Sequence, residues 1–98
     1  MLSKTNRLSA FEVREIIKDG RSARTAALSA KFKAGSGAKA AVVVSAKVAK
    51  TAVERNTLRR AAYLALRSSL PSGVHAVFFL HKPIFDKNEL NALCLKLI

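Results

Sequence analysis

Residues that build most protein catalytic sites are scarce in this chain. Its 98 residues include only 6 Asp and Glu, 2 His and 1 Cys. The two histidines are isolated, and neither has a second ligand at the spacing that binds zinc. The carboxylates are too few and too scattered for a two-metal nuclease centre. We therefore predict no catalytic residue in this chain, and its residues identify no metal site.

Cysteine and long apolar runs are also in short supply. Cys94 has no partner for an internal disulfide, which fits a reducing compartment, and its leucine-rich surroundings predict a small buried hydrophobe. The apolar runs at 40–44 and Val74–Leu80 are shorter than the about 20 residues that span a membrane. No signal peptide is visible at residues 1–7. We expect a cytoplasmic protein with no membrane partner.

Positive charge is what the chain has in excess. It contains 18 Lys and Arg, and its formal net charge is +12 at pH 7. Between Arg21 and Arg67 there are eleven basic residues, and Glu54 is the only acid there. Because 50% of the residues are hydrophobic, this charge belongs to a folded domain and not to a disordered tail. It predicts an anionic partner, nucleic acid before a membrane surface.

Three N-cap signals predict three helices. A Ser or Thr followed three residues later by Glu forms a capping box, in which each side chain satisfies a backbone donor of the other residue. The sequence has two such boxes and one capping aspartate: Ser9 with Glu12, Thr51 with Glu54, and Asp86. They predict helices over 9–19 and 52–70 and a last helix after the aspartate. We expect Phe11, Ile16 and Ile17 to form the buried side of the first helix.

The other apolar segments predict three strands. Residues 24–33 alternate partly, while 40–45 and Val74–Leu80 are runs typical of buried strands. The glycine turn at 34–37 favours a hairpin of the first two strands. The order is then α-β-β-α-β-α. It predicts a single domain over 1–98 of the α/β (α+β) class, a two-layer sandwich with helices on a small mixed sheet.

The second helix has the composition of a phosphate-binding surface. At about 100° per residue, its apolar residues share one side, with Leu66 as an exception. These residues are Val53, Leu58, Ala61, Leu64 and Ala65. The other side carries Arg55, Asn56, Arg59, Arg60, Tyr63 and Arg67. Arginine matches phosphate oxygens bidentately, and Lys47 and Lys50 lie where the helix dipole favours anions. A face built for solubility mixes both signs of charge, so binding explains this one better.

The segment 44–60 resembles the signature of the bacterial ribonuclease P protein. Members of that family have a strand ending in Ser-Lys-Lys, a short loop, and a helix that begins Arg-Asn-Arg before an aliphatic and two basic residues. The matching residues are Ser45, Lys47, Arg55, Asn56, Leu58, Arg59 and Arg60. Ala46 and Thr57 replace two of the basic residues. Val13 and Ile17 stand where family members often have aromatics.

This resemblance implies a function and partners. The chain would be the accessory protein subunit of ribonuclease P, whose catalytic RNA removes the 5′ leader of precursor tRNA with Mg²⁺ bound mainly by the RNA. The fold would contain a left-handed βαβ crossover, although about 98% of such connections are right-handed. Contacts to the catalytic RNA would come from Lys47, Lys50, Arg55, Asn56, Arg59, Arg60 and Arg67. A cleft between the sheet and the first helix would hold the leader, with Arg21, Arg24, Lys31 and Phe32 as candidate residues.

Some alternatives stay open at this point. Phe32 fits a stacking residue and a core residue equally well. Phe78 and Phe79 point to opposite faces of a strand, and one of them is either under a helix or exposed in the cleft. The main alternative function is another RNA-binding module of ribosomal-protein-like fold. A membrane or nonspecific DNA binder ranks lower, because the basic helix has no Trp or Phe to anchor in lipid. No obligate protein partner is predicted.

Overall fold

Helices and strands are mixed along the chain in a computed structural model, which describes residues 8–25, 27–35, 37–83 and 85–97. In order, the elements are α1 (Ala10–Asp19), β1 (Arg21–Arg24), β2 (Leu28–Ala34), β3 (Ala38–Val44), α2 (Ala52–Ser69), β4 (Val74–Leu80) and α3 (Lys87–Leu95). The predicted α+β class is confirmed. The predicted order omits only β1, whose 4 residues are too few to show an alternating pattern.

Each helix begins at its predicted N-cap. The Ser9 hydroxyl accepts a hydrogen bond from Glu12 N at 3.2 Å, and the Glu12 carboxylate accepts one from Ser9 N at 3.0 Å. The Thr51 hydroxyl accepts from Glu54 N at 3.1 Å. The Asp86 carboxylate accepts from the backbone N–H two residues later at 2.8 Å. Each cap satisfies a donor that the helix leaves free, which stabilises the helix by about 1 kcal/mol.

The sheet order differs from the predicted one. The strands lie in the order β1-β2-β4-β3, with β2 antiparallel to β1 and β4, and β3 parallel to β4. The predicted hairpin of β2 and β3 is therefore wrong, because the more apolar β4 is inserted between them. The two glycines of the predicted turn form hydrogen bonds with Gly73, just before β4, instead. Gly35 N donates to Gly73 O at 3.0 Å, and Gly73 N donates to Gly37 O at 2.7 Å.

Strand β3, helix α2 and strand β4 form a βαβ unit, since α2 connects two neighbouring parallel strands. Gly73, which precedes β4, has a φ of 83°, and Gly37, which precedes β3, has a φ of 74°. A side chain would be strained at either position, so glycine is required where both parallel strands begin. The left-handed course of this crossover stays a prediction.

One face of the sheet forms the main core with α2 and α3. We call it the core face, and its strand residues are Leu28, Ala30, Phe32, Ala40, Val42, Val44, Ala76, Phe78 and Leu80. The helices contribute Ala62, Ala65, Leu66, Leu90, Leu93 and Cys94 to the same cluster. The largest of these side chains, Phe78, is completely buried. The small alanines of both layers allow the helices to approach the sheet closely.

The opposite face of the sheet is covered in part by α1. We call it the open face, and its residues on β2, β3 and β4 are Ser29, Lys31, Lys33, Lys39, Ala41, Val43, His75, Val77 and Phe79. Lys39 Nζ lies 3.5 Å from Glu12 Oε2, which places α1 over this face. Val77 is fully buried there, Phe79 is half-buried, and Val43 is exposed. Part of this face therefore remains uncovered.

Helix α1 packs through fewer residues than predicted. Ile16 is its only buried residue, while Phe11 is 69% exposed and Ile17 is 40% exposed. The prediction of Phe11 and Ile17 as buried residues is wrong. The physical reason is the composition of the open face, where lysines and a histidine leave Val77 as the one fully buried apolar residue.

Candidate nucleic-acid interface

The buried side of α2 differs from the predicted side by about 100°, or one residue around the helix. Ala62 and Leu66 are 1% exposed, whereas Val53 and Leu64 are 75% and 61% exposed. The prediction that Val53 and Leu64 face the sheet is therefore wrong, and Leu66 is a core residue. The helix packs through small residues and one leucine against an alanine-rich sheet, so close approach and not residue hydrophobicity sets its orientation.

The polar residues of α2 nevertheless stay together on one flank of the helix. Asn56, Arg59, Arg60 and Tyr63 line an open pocket of about 370 Å³, and Arg67 lies exposed two turns after Arg60. The Arg59 guanidinium donates to the Asn56 side-chain oxygen, which orients both groups. We call Asn56, Arg59, Arg60 and Arg67 the arginine surface.

The arginine surface keeps its positive charge unpaired. Within residues 8–25, 27–35, 37–83 and 85–97, the only ion pair joins Lys39 and Glu12, on the open face. The nearest acid in sequence, Glu54, accepts a hydrogen bond from the Thr51 hydroxyl at 3.1 Å. Three arginines are therefore available to an anion, and their potential is reinforced by the net charge of +12.

Two predicted side chains of α2 hold the fold together. Arg55 Nη1 donates to the carbonyl oxygens of Ala49 at 2.9 Å and Lys50 at 3.2 Å. Tyr63 Oη accepts from Val42 N at 3.0 Å, on the outer edge of the edge strand β3. Arg55 thus fixes the loop before α2, and Tyr63 satisfies an edge donor that would otherwise be open to another strand.

The loop between β3 and α2 presents the two predicted lysines. Val48 N and Ala49 N both donate to Ser45 O at 3.1 Å, which folds the loop into a turn. Lys47 and Lys50 are exposed there. Lys47 also lines a pocket of about 370 Å³ that includes Val43, Phe79 and His81. It therefore adds a positive charge at the end of the open face.

The four residues predicted for the leader cleft do not share one face. Arg24 pairs with Ser29, so Arg24 and Lys31 belong to the open face. Arg21 pairs with Phe32, so both belong to the core face. Phe32 is half-buried and packs against the core cluster, which is the second of its two predicted placements. Placing all four in one cleft was wrong, because successive strand residues point to opposite sides.

Two residues outside the predicted set complete the open face. Phe79 lies next to Val43 across β3 and next to Ser29 across β2. His81 Nε2 lies 2.6 Å from Ser29 Oγ. The alternation of β4 already separated Phe78 from Phe79 in the sequence. Packing of α2 and α3 against one face determines that Phe78 and not Phe79 lies in the core. No signal within β4 itself distinguishes the two faces.

Other titratable groups in the described residues form no further site. No group of three His, Cys, Asp or Glu side chains there could hold a metal ion. Burial raises the pKa of the Cys94 thiol to about 11, so this residue is the small buried hydrophobe that the sequence predicts. Of the described helices, none is long and apolar enough to cross a membrane.

Comparisons with known proteins agree with this geometry. The family model for Ribonuclease P matches residues 2–97. No curated protein sequence matched. The RNase P protein of Staphylococcus aureus is 16% identical, with a TM-score of 0.75 over 96% of this chain and 93% of that one. The RNase P protein of Thermotoga maritima is 22% identical, with a TM-score of 0.74 over 93% of each chain.

The two structural likenesses, at these identities, show a shared fold, and the family match extends over nearly the whole chain. The mixed sheet of four strands and the three helices are thus those of known ribonuclease P proteins. The chain belongs to the ribonuclease P family, whose members are protein subunits of an endoribonuclease of tRNA processing and associate with its RNA.

Proposed function

We propose that this protein binds the catalytic RNA of ribonuclease P through the arginine surface and the lysines of the preceding loop, and holds the 5′ leader of precursor tRNA along the open face. In this proposal the RNA performs the Mg²⁺-dependent cleavage, and most of the Mg²⁺ is bound by the RNA. The protein neutralises phosphate charge and positions the two RNA strands.

The unpaired arginine surface is the observation that carries this proposal. Arg59 and Arg60 lie beside each other on an open pocket, and the described residues offer them no carboxylate. Guanidinium groups bind phosphate oxygens bidentately, and the planar group is less strongly hydrated than a lysine ammonium. An RNA backbone supplies the acceptors that this surface lacks.

The loop before α2 supports the same proposal. Lys47 and Lys50 lie near the first turn of α2, where free backbone N–H groups and the helix dipole also attract phosphate. Arg55 holds this loop by its two carbonyl contacts. Thr57 contributes no charge, since its hydroxyl donates to Val53 O at 2.9 Å. RNA affinity therefore depends mainly on the remaining arginines and the two lysines.

The open face suits a single-stranded leader. Proteins that bind single strands combine basic side chains for the phosphates with an aromatic ring on which a base stacks. Lys31 supplies positive charge on this face, in the row next to that of Lys39, whose ammonium pairs with Glu12. Phe79 supplies a half-buried ring. Val13 and Ile17 give α1 no aromatic at the positions where the family often has one, so Phe79 is the ring that we assign to stacking.

The decisive experiment is cleavage of precursor tRNA by the matching catalytic RNA at low Mg²⁺, with and without this protein. We expect a higher rate or tighter substrate binding, with the cut at the mature 5′ end. A folded protein that gives no gain, with an RNA that is active alone at high Mg²⁺, would contradict the proposal. The RNA that co-purifies with the protein would then identify another partner.

Arg60→Ala tests the RNA contact directly. If Arg60 neutralises one phosphate, the slope of log affinity for the catalytic RNA against log salt should fall by about 0.7–0.9. The matched control is Lys87→Ala, which removes one exposed positive charge at the start of α3 and should leave the slope unchanged. Equal slopes for wild type and Arg60→Ala would remove Arg60 from the contact surface.

A further inference from the structure

A pocket of about 440 Å³ lies at one end of the sheet, where α1 ends and β4 begins. It shares no residue with the arginine surface or with the pocket beside Phe79. The residues that matter for its chemistry are Asp19, Arg21, Phe32, Lys33, Val74 and Leu97. Its volume falls within the range of pockets that hold small ligands.

The floor of this pocket is apolar and fixed. Phe32 and Val74 are half-buried and pack against the core cluster. Leu97, just after α3, is 4% exposed. The backbone at Phe32 is also closely packed against the residue that follows α1. A Cβ atom added to Gly20 would lie only 3.0 Å from Phe32 O. An aromatic ring held in this way is a ready platform for a flat ligand.

The rim of the pocket is charged. Arg21 lies directly across the strand pair from Phe32, on the same face of the sheet, whereas Lys33 borders the pocket from the open face. Both cations are exposed, and neither forms an ion pair with any described carboxylate. Asp19, the last residue of α1, adds one carboxylate to the rim. The pocket thus combines an aromatic floor, one guanidinium on the same face of the sheet and one carboxylate.

We propose that this pocket binds one unpaired RNA nucleotide, with the base on Phe32 and the phosphate at Arg21. The proposal depends on the function above only in taking RNA as the ligand. A base stacks on an aromatic side chain whatever its sequence, and Arg21 is placed to bind the attached phosphate bidentately.

Asp19 narrows the choice of base. An ionised carboxylate only accepts hydrogen bonds, so it repels phosphate and favours a base with an exocyclic amino group. Cytosine has such a donor at the position where uracil has an acceptor, and Asp and Glu accept from that cytosine group. The pocket therefore prefers cytidine to uridine.

The test uses the isolated protein with two short probes, a cytidine trinucleotide and a uridine trinucleotide. Amide chemical shifts report where each probe binds, and their titration reports affinity. We expect the amides of Gly73 and Val74 to shift, with the cytidine probe several-fold tighter. Asp19→Asn should remove that preference, because an amide can both donate and accept.

Two further variants locate the site. Phe32→Leu should weaken cytidine binding about tenfold through loss of stacking. If this variant does not fold, Arg21→Gln, which changes an exposed residue of the edge strand β1, tests the same pocket. The control is Lys31→Gln, because Lys31 precedes Phe32 in β2 but lies on the open face. This variant should leave the amide chemical-shift changes of Gly73 and Val74 as they are in the wild type. Shifts confined to Lys31 and Phe79, or equal affinity for both probes, would overturn the proposal.

The two proposals fail in different experiments. If the probes cause no chemical-shift change at the pocket, this proposal fails, while the protein can still stimulate precursor-tRNA cleavage. Absence of stimulation, with the pocket still binding cytidine, leaves the pocket assigned and removes the catalytic RNA as partner.

Discussion

The two faces of the sheet are built from the same strands but differ in burial and in charge. On the core face, Ala30, Ala40, Ala76 and Phe78 are at most 1% exposed. On the open face, three lysines and a histidine lie among smaller and apolar residues, and of its described residues only Val77 is buried to the same degree. Since strand residues alternate sides, one apolar face suffices to fold the chain, and the other is free to carry charge.

The largest expected contrast is between two neighbouring phenylalanines. Phe78→Ala should lower the free energy of unfolding by about 3–5 kcal/mol, the usual cost of such a cavity. Phe79→Ala should lower it by less than half as much, because Phe79 is already partly in solvent. Urea denaturation followed by circular dichroism measures both. Equal losses would mean that the open face contributes to stability as the core face does.

The converse contrast concerns RNA. Phe79→Leu keeps an apolar side chain but removes the ring, so the holoenzyme should bind leader-bearing precursor tRNA at least about fivefold more weakly. Affinity for mature tRNA, which has no leader, should not change. Val43→Ala on the same face is the matched control, since it removes apolar surface without removing a ring. A similar loss in both variants would assign the effect to apolar contact instead of stacking.

A smaller effect is expected at the boundary between the core and the arginine surface. Tyr63→Phe removes the hydroxyl that accepts from Val42 N and should lower the free energy of unfolding by about 1 kcal/mol. Hydrogen exchange of the Val42 amide should quicken, because that donor is left without its partner on the outer edge of β3. Affinity for the catalytic RNA should stay the same. A loss of affinity with unchanged exchange would make Tyr63 an RNA contact.

The smallest effect is in the pH dependence of α1. Hydrogen bonds from the Ser9 backbone and hydroxyl, with Lys39 nearby, hold the pKa of Glu12 below its ordinary value of 4.5. The folded state therefore binds this proton less readily than the unfolded state, and the stabilisation is present above pH 4.5 and lost as pH falls through the folded pKa. Denaturation midpoints of wild type and Glu12→Gln should converge at low pH. Parallel curves would contradict this.

Signals that depend on a few neighbouring residues were predictable. Ser9, Thr51 and Asp86 each begin a helix as their sequence context predicts, because a cap is completed by residues two or three positions away. The cluster of arginines on α2 was predictable for a similar reason. Helical spacing keeps Asn56, Arg59 and Arg60 on one flank whichever side of the helix is buried.

Features that depend on distant segments were not predictable. The glycine turn at 34–37 is compatible with a hairpin, and only the insertion of β4 rules it out. The face occupied by Phe32 follows from that pairing. The orientation of α2 was missed because Val53 and Leu64 outweigh Ala62 in hydrophobicity, although the smaller side chain packs closer to the sheet. Nothing in the sequence indicated that Arg55 would donate hydrogen bonds to the loop carbonyls.

The central position of β4 has a consequence for synthesis of the chain. β2 and β3 both pair with β4 and not with each other, and β4 leaves the ribosome after both of them and after α2. Until then β3 has no partner strand, and its edges are open to other chains. A nascent chain halted after α2 would display its arginines on a helix with no completed sheet beneath it. The arginine surface can therefore rest on a completed sheet only after β4 has been synthesised.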